Sequence, residues 1–223
     1  MIIKIKRQLF PGAKPYIQTI AYDGPRDISV AALLDTLNSG DDLRDENGET
    51  IPRISWECSC LQGMCGACAM VINGRPALAC ETFLRDMEGD TLVLEPLSKF
   101  PVVSDLVTDR SAIQNNLLES NAYIQEYSAS DPSEYEHRYI AAKCLKCGLC
   151  LEVCPNYTGK GGFYGAYFAN DCYLISSRSA GSGIKKEYDR HFAPGCSGAL
   201  SCVDICPMKI PTIASMAKMN RRR

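Results

Sequence analysis

Apolar and polar residues alternate where the chain begins. Ile3 and Ile5 are interleaved with Lys4 and Lys6, and residues 16–22 repeat the pattern after a Pro11-Gly12 turn. A period of two sends alternate side chains to one face, so both segments are predicted as strands. From Ser29 the period lengthens: Val30, Leu33, Leu34 and Leu37 fall at i, i+3, i+4 and i+7. That is one face of a helix, with Ser29 placed to cap it and Gly40 to stop it. Residues 41–52 are polar and contain glycine, hence a loop, and short apolar runs at 70–72, 77–79 and 91–94 read as further strands.

The texture changes in the second half. Residues 99–120 hold few turn signals and read as a connection, and from about 110 onward alanine, leucine, glutamate and lysine become frequent, which favours helix. Helices are predicted at 112–126, 133–142, 164–178 and 211–219, with Pro211 in a first turn where its missing N–H costs nothing. Residues 159–162 and 176–183 read as loops. The fold class is therefore α+β: a β-grasp sheet built around a cysteine loop over residues 1–105, then an α-helical domain over 106–223.

Composition narrows the function classes. Hydrophobic residues make up 46% and charged residues 22%, with a net charge of −2, ordinary for a folded chain and not basic enough for a nucleic-acid partner. No apolar run approaches the roughly 18 residues needed to span a bilayer, so no transmembrane segment is expected. The opening MIIKIKRQLF lacks the pattern of a secretory signal and reads as a first strand. The anomaly is thirteen cysteines. An odd number, tightly clustered, without an export signal, argues against a disulfide framework. Structural zinc is the stronger alternative, but such sites pair two C-x2-C knuckles rather than running three cysteines into a Cys-Pro.

The spacings identify the chemistry. Cys144-x2-Cys147-x2-Cys150-x3-Cys154-Pro155 is repeated as Cys196-x2-Ala199-x2-Cys202-x3-Cys206-Pro207, with alanine at one corner of the second copy. In bacterial-type runs of this spacing the last cysteine ligates the partner cluster. Exchanging the last cysteines gives Cys144, Cys147, Cys150 and Cys206 for a [4Fe-4S] cluster, and leaves Cys154, Cys196 and Cys202 for a [3Fe-4S] cluster. Upstream, Cys60-x4-Cys65-x2-Cys68-x11-Cys80 has the plant-type spacing for a [2Fe-2S] cluster. Gly63 and Gly66 let that loop curl its N–H groups toward sulfur. Cys58 and Cys172 remain, and both read as small buried hydrophobes. The two units are thus a plant-type [2Fe-2S] ferredoxin domain and a bacterial-type ferredoxin domain, and the protein is expected to carry electrons.

These motifs together, C-x4-CGAC, INGRPALAC, C-x2-C-x2-C-x3-CP and C-x5-C-x3-CPMKIP, cover nearly the whole chain. In them it resembles the iron–sulfur subunit of the succinate dehydrogenase/fumarate reductase family. The resemblance implies a subunit without catalytic residues of its own, relaying electrons between two partners. One is a flavoprotein subunit that carries FAD and the dicarboxylate site. The other is a membrane anchor with the quinone site and often haem b. It also implies a peripheral position on the cytoplasmic face of the inner membrane. The residues agree: the two histidines, His137 and His191, form no nucleophile–base constellation, and no dinucleotide fingerprint follows a strand. Ubiquinone-reducing members carry a tryptophan-rich stretch after the first Cys-Pro and a histidine after the first cysteine of the second run. Here those places hold Asn156-Tyr157-Thr158-Gly159 and Ser197, and the one tryptophan is Trp56. The chain thus looks closer to menaquinone-linked members, many of which work as quinol:fumarate reductases. Competing readings are a free soluble polyferredoxin, a zinc-stapled module, and the electron-input subunit of a thiol-linked reductase, against which Ala199 argues.

Weaker signals remain. Tyr157, Phe163, Tyr164, Tyr167, Phe168 and Tyr173 have spacing that fits helix packing better than a quinone vestibule. Lys209, Lys218 and Arg221 to Arg223 make a basic tail that suits either anionic lipid or a solvated terminus. His191 reads as a lone surface histidine.

Overall fold

Strand β1 (Ile2–Arg7) runs antiparallel to β2 (Tyr16–Ala21), with Ile3 opposite Ile20. The computed structural model describes residues 1–40, 42–124, 126–129, 131–179 and 183–221, which fall into two units, Met1–Asp109 and Arg110–Arg223. In the first unit, helix α1 (Val30–Ser39) starts where the pattern places it: Ser29 Oγ accepts the Ala32 N–H at 3.2 Å. Strands β3 (Ala69–Ile72), β4 (Arg75–Leu78) and β5 (Thr91–Glu95) complete a five-stranded sheet of order β2-β1-β5-β3-β4. The central pair β1–β5 is parallel and its other neighbours antiparallel. Ile3, Ile5, Leu92 and Leu94 from that pair, with Val30, Leu33 and Leu34 of α1, are fully buried and form the core. β3 turns into β4 through Asn73 (φ 48°) and Gly74 (φ 76°), the residue pair that a tight hairpin with two left-handed positions requires.

Arg7 breaks the apolar pattern at the end of β1 and is nevertheless wholly buried. Its guanidinium donates to Asp105 Oδ2 and to the carbonyls of Pro52 and Arg53, each at 2.8 Å. Asp105 sits in the turn between β6 (Val102–Ser104) and β7 (Val107–Thr108) and also accepts the N–H groups of Gln8 and Ser55. One ion pair therefore fixes the end of β1, the β6–β7 turn and the segment entering the first cysteine loop.

The second unit is helical: α2 (Ser111–Glu119), α3 (Tyr135–Ala141), α4 (Leu149–Glu152), α5 (Ala166–Ser176), α6 (Ile184–His191), α7 (Ser201–Asp204) and α8 (Thr212–Arg221). The α2 helix stops well short of residue 126, because Asn121 adopts φ 47° and directs the chain out of the helix. Residue 125 lies outside the described residues, as do residues 41 and 180–182 of the two expected loops and Arg222 and Arg223 of the basic tail. Pro211 is one place further out than expected: its carbonyl accepts the N–H of Ala214 at 2.9 Å, which makes it the residue before α8. α6 carries no predicted element, because its apolar side is only Ile184 and Tyr188, with charged residues between. The centre of this unit is α5, packed against α6 and α8, with Tyr167, Phe168, Cys172 and Tyr173 buried. Apart from the half-buried Phe163, the aromatic stretch is thus core.

Candidate functional site

The first cysteine loop lies between residue 54 and β3, and left-handed residues give it its curl. Leu61, Gly63 and Gly66 have φ of 54°, 71° and 76°. A Cβ on Gly63 would displace the Glu81 side chain, 2.9 Å away, and the left-handed backbone there disfavours any larger residue. The curl turns backbone donors onto sulfur. Met64 N–H points at Cys60 Sγ (3.2 Å), Gly63 N–H at Cys80 Sγ (3.3 Å) and Ala67 N–H at Cys65 Sγ (3.5 Å). Cys80 arrives on the turn after β4, with its sulfur 3.4 Å from that of Cys68. The three loop cysteines of the expected [2Fe-2S] set and Cys80 from the turn after β4 are therefore brought together at this loop. The N–H of Gln62, the Cys65 thiol and further amides pull Cys60 down to about 7, while burial and Cys68 push Cys80 up to about 12. Cys58 is exposed, which corrects its reading as a buried hydrophobe: the chain reaches the curl along the surface there. Cys172 is fully buried as expected.

The duplicated motif is duplicated in backbone conformation too. Two and four residues after its first cysteine, the first copy has Lys146 (φ 54°) and Gly148 (φ 87°), and the second has Gly198 (φ 74°) and Leu200 (φ 61°). Each pair of left-handed residues leads into a single helical turn, α4 in one copy and α7 in the other. Each turn closes on the cysteine before proline: Cys154 N–H donates to Leu151 O and Cys206 N–H to Val203 O. Lys146 and Leu200 hold these conformations despite the steric cost of a Cβ there, so the loop shape is imposed by the surrounding structure.

Two hollows follow from this pair of loops. Cys144, Cys147, Cys150 and Cys206 line the first, where Tyr167 and Ile210 form part of the apolar wall. Cys154, Cys196 and Cys202 line the second, together with Pro155, Ala199 and Leu200. Cys202 is in the wall of both. The last cysteine of each run thus stands with the other run. Ala199 presents a methyl group at the position where the first copy has the Cys147 thiol.

The donor set fits iron–sulfur clusters. Burial pushes the Cys147 thiol up to about 11 and Cys150 well above its ordinary range, with the neighbouring cysteines adding to the effect. Such a crowd of thiols does not ionise by itself, and a bound cationic centre is what deprotonates ligands in this setting. Among the described residues no three or more His, Cys, Asp or Glu converge as they would on a single ion. The thiols surround hollows, which suits a cluster several atoms across.

One polar group at the first hollow was not anticipated. Lys146, between two of the cysteines, sends its Nζ to both carboxylate oxygens of Asp171 on α5, at 2.6 and 2.5 Å. Asp171 is 25 residues away in sequence, so its only sequence hint is a lysine lodged inside a ligand run. The histidines lie elsewhere. His137 Nε2 pairs with Ser215 Oγ at 3.0 Å, and burial together with Lys218 holds its pKa below the ordinary value. His191 is not the lone surface residue expected: it stacks on Tyr164 at 4.1 Å, donates from Nδ1 to Gly162 O and faces Glu187.

Comparison with known proteins gives two family matches, a "2Fe-2S iron-sulfur cluster binding domain" over residues 2–115 and a "4Fe-4S dicluster domain" over residues 140–210. The succinate dehydrogenase iron–sulfur subunit of Bacillus subtilis is 35% identical over 187 residues, 78% of this chain and 74% of that protein. The fumarate reductase iron–sulfur subunit of Wolinella succinogenes is 28% identical over 186 residues, 77% of this chain and 78% of that one. A chain in the Mycobacterium smegmatis Sdh1 complex, solved in the apo form, shares the fold with a TM-score of 0.77 at 22% identity, covering 100% of this chain and 96% of its own.

Proposed function

We propose a cluster assignment and a place of work for this chain, which belongs to the family of iron–sulfur subunits of succinate dehydrogenase and fumarate reductase. Membership makes it an electron-transfer subunit of an oxidoreductase complex. Cys60, Cys65, Cys68 and Cys80 hold the [2Fe-2S] cluster. Cys144, Cys147, Cys150 and Cys206 hold the [4Fe-4S] cluster, and Cys154, Cys196 and Cys202 the [3Fe-4S] cluster. Bound in these places, the clusters supply one-electron acceptance and release. The protein's own part is to space the thiolates, aim N–H groups at sulfur and line the hollows with apolar residues that keep water out. No side chain here is asked to break a bond. The partners are a flavoprotein subunit that carries FAD and the dicarboxylate site, and a membrane anchor that carries the quinone site and haem b. No helix among the described residues is long and apolar enough to cross a membrane. The chain's place of work in this reading is peripheral, on the cytoplasmic face of the membrane. Asn156-Tyr157-Thr158-Gly159 and Ser197, in the places of the ubiquinone-linked tryptophan-rich stretch and histidine, favour menaquinol oxidation coupled to fumarate reduction.

The observation that carries the assignment is the exchange: Cys206 lies with the first run's cysteines and Cys154 with the second's. The test is Cys206→Ala, read by EPR and by iron and acid-labile sulfide content. Loss of the reduced [4Fe-4S] signal with the oxidised [3Fe-4S] signal retained is expected. Loss of the [3Fe-4S] signal with an intact [4Fe-4S] cluster would overturn the exchange.

A further inference from the structure

Among the described residues that line the hollow of Cys144, Cys147, Cys150 and Cys206, Lys146 supplies the cationic side chain. Its aliphatic stem leaves a backbone held at φ 54°, and its ammonium is clamped by both oxygens of Asp171 at 2.6 and 2.5 Å. The ammonium also lies 5.7 Å from the centre of the Tyr167 ring. The lysine side chain is 25% exposed and the aspartate 13%, so water screens neither charge as it would at the surface. Lys146 follows the ligand Cys144 by two residues and its side chain stands in the wall of the hollow, whereas Asp171 is held behind it on α5. The pair is therefore an oriented dipole, with the positive end toward the thiols and the negative end away from them.

We infer that Lys146 and Asp171 form a charge couple that sets the reduction potential of the [4Fe-4S] cluster, the ammonium favouring the reduced form and the carboxylate limiting that bias. The inference rests on the assignment of that cluster to these four cysteines. Reduction adds one electron, delivered along the relay, and hence one negative charge to the cluster. A cation in the wall of the cluster site stabilises that added charge, while a buried anion opposes it. In the couple the cation is nearer, so its sign prevails. Lys146 acts through a ligand and is a positioning and tuning residue, not a catalytic one.

Three variants separate this from a packing role: Lys146→Met, Lys146→Arg and Asp171→Asn. Each is studied in the assembled, cluster-loaded complex by anaerobic redox titration, with EPR of the reduced [4Fe-4S] cluster as the readout. Lys146→Met removes the cation and leaves Asp171 facing the thiols. It is expected to shift the reduction equilibrium at least tenfold toward the oxidised cluster, which is about 59 mV for a one-electron couple. Asp171→Asn keeps the shape of the side chain and frees the cation, and is expected to shift the equilibrium several-fold the other way. Lys146→Arg keeps the charge and is expected to stay near the parent value. Shifts of opposite sign in the first two cannot come from loosened packing alone. Shifts below twofold in both, or of the same sign in both, would overturn the inference. If Lys146→Met fails to retain its cluster, the sign of the Asp171→Asn shift decides. Absence of a reduced [4Fe-4S] signal from the parent protein would instead overturn the cluster assignment and leave Lys146 without its target.

Discussion

Replacing Arg7 with methionine should destabilise the first unit by far more than loss of a surface ion pair would. Arg7 and Asp105 are 0% and 1% exposed, so the substitution leaves a carboxylate buried without its counter-charge. Removing one member of a buried pair typically costs about 3–5 kcal/mol, against about 0–1 kcal/mol for an exposed pair. Two further hydrogen bonds, to the carbonyls of Pro52 and Arg53, are lost with it. Asp105 keeps the N–H groups of Gln8 and Ser55, which holds the expected cost near the lower end, about 3 kcal/mol. Trp56, the one tryptophan of the chain, adjoins Ser55 and reports on this staple by fluorescence. With a urea slope of about 2 kcal/mol/M, the unfolding midpoint should fall by about 1.5 M. In a double-mutant cycle, Asp105→Asn should cost less in the Arg7→Met background than alone, since it removes the stranded charge, although asparagine can accept only one of the two N–H groups. Asparagine also tolerates the φ of 44° at this position. A loss under about 1 kcal/mol for Arg7→Met, or strictly additive costs in the cycle, would refute the reasoning.

Two other outcomes are expected. Ala199→Cys supplies a fourth thiol to the second hollow and should convert a [3Fe-4S] into a [4Fe-4S] cluster, abolishing the EPR signal of the oxidised sample; an unchanged signal would mean that residue 199 does not face the open corner. In cluster-free protein Cys60, pulled down to about 7, should alkylate with a rate that rises through that pH, while Cys80, pushed up to about 12, stays unreactive, as read by mass spectrometry. The sign follows from linkage. A depressed thiol pKa stabilises the folded loop above the ordinary cysteine range, and that contribution fades as pH falls through about 7. Equal alkylation of Cys60 and Cys80 at neutral pH would show that the N–H groups do not hold the thiolate.

What could be read from the chain was whatever repeats locally. The cysteine spacings, the Ser29 cap and the alternation in β1 each follow from a few neighbouring residues, and these carried the fold class and the cluster types. What stayed hidden were polar contacts between distant positions. Arg7 and Asp105 are 98 residues apart, and Lys146 and Asp171 are 25 apart; each member taken singly looks like a surface charge. The α6 helix escaped because two apolar residues among six others give too weak a periodicity. The end of α2 escaped because Asn121 turns the chain although its neighbours, Leu118 and Ala122, are ordinary helix residues.

The exchange of last cysteines has a meaning for chain entropy. On the proposed assignment Cys206 lies 56 to 62 residues after the first run's cysteines, and Cys154 lies 42 to 48 residues before the second run's, so each cluster would tie together distant stretches of chain. The enclosed segment includes α5 and α6, the middle of the helical core. In the unfolded chain each such tie acts like a cross-link, and closing a loop of that length removes disorder equivalent to about 4 kcal/mol. The two ties run in parallel, so the second adds less than the first. On that assignment iron supply is also a folding input for the helical unit, whereas the sheet of the first unit closes around apolar strands and a buried ion pair.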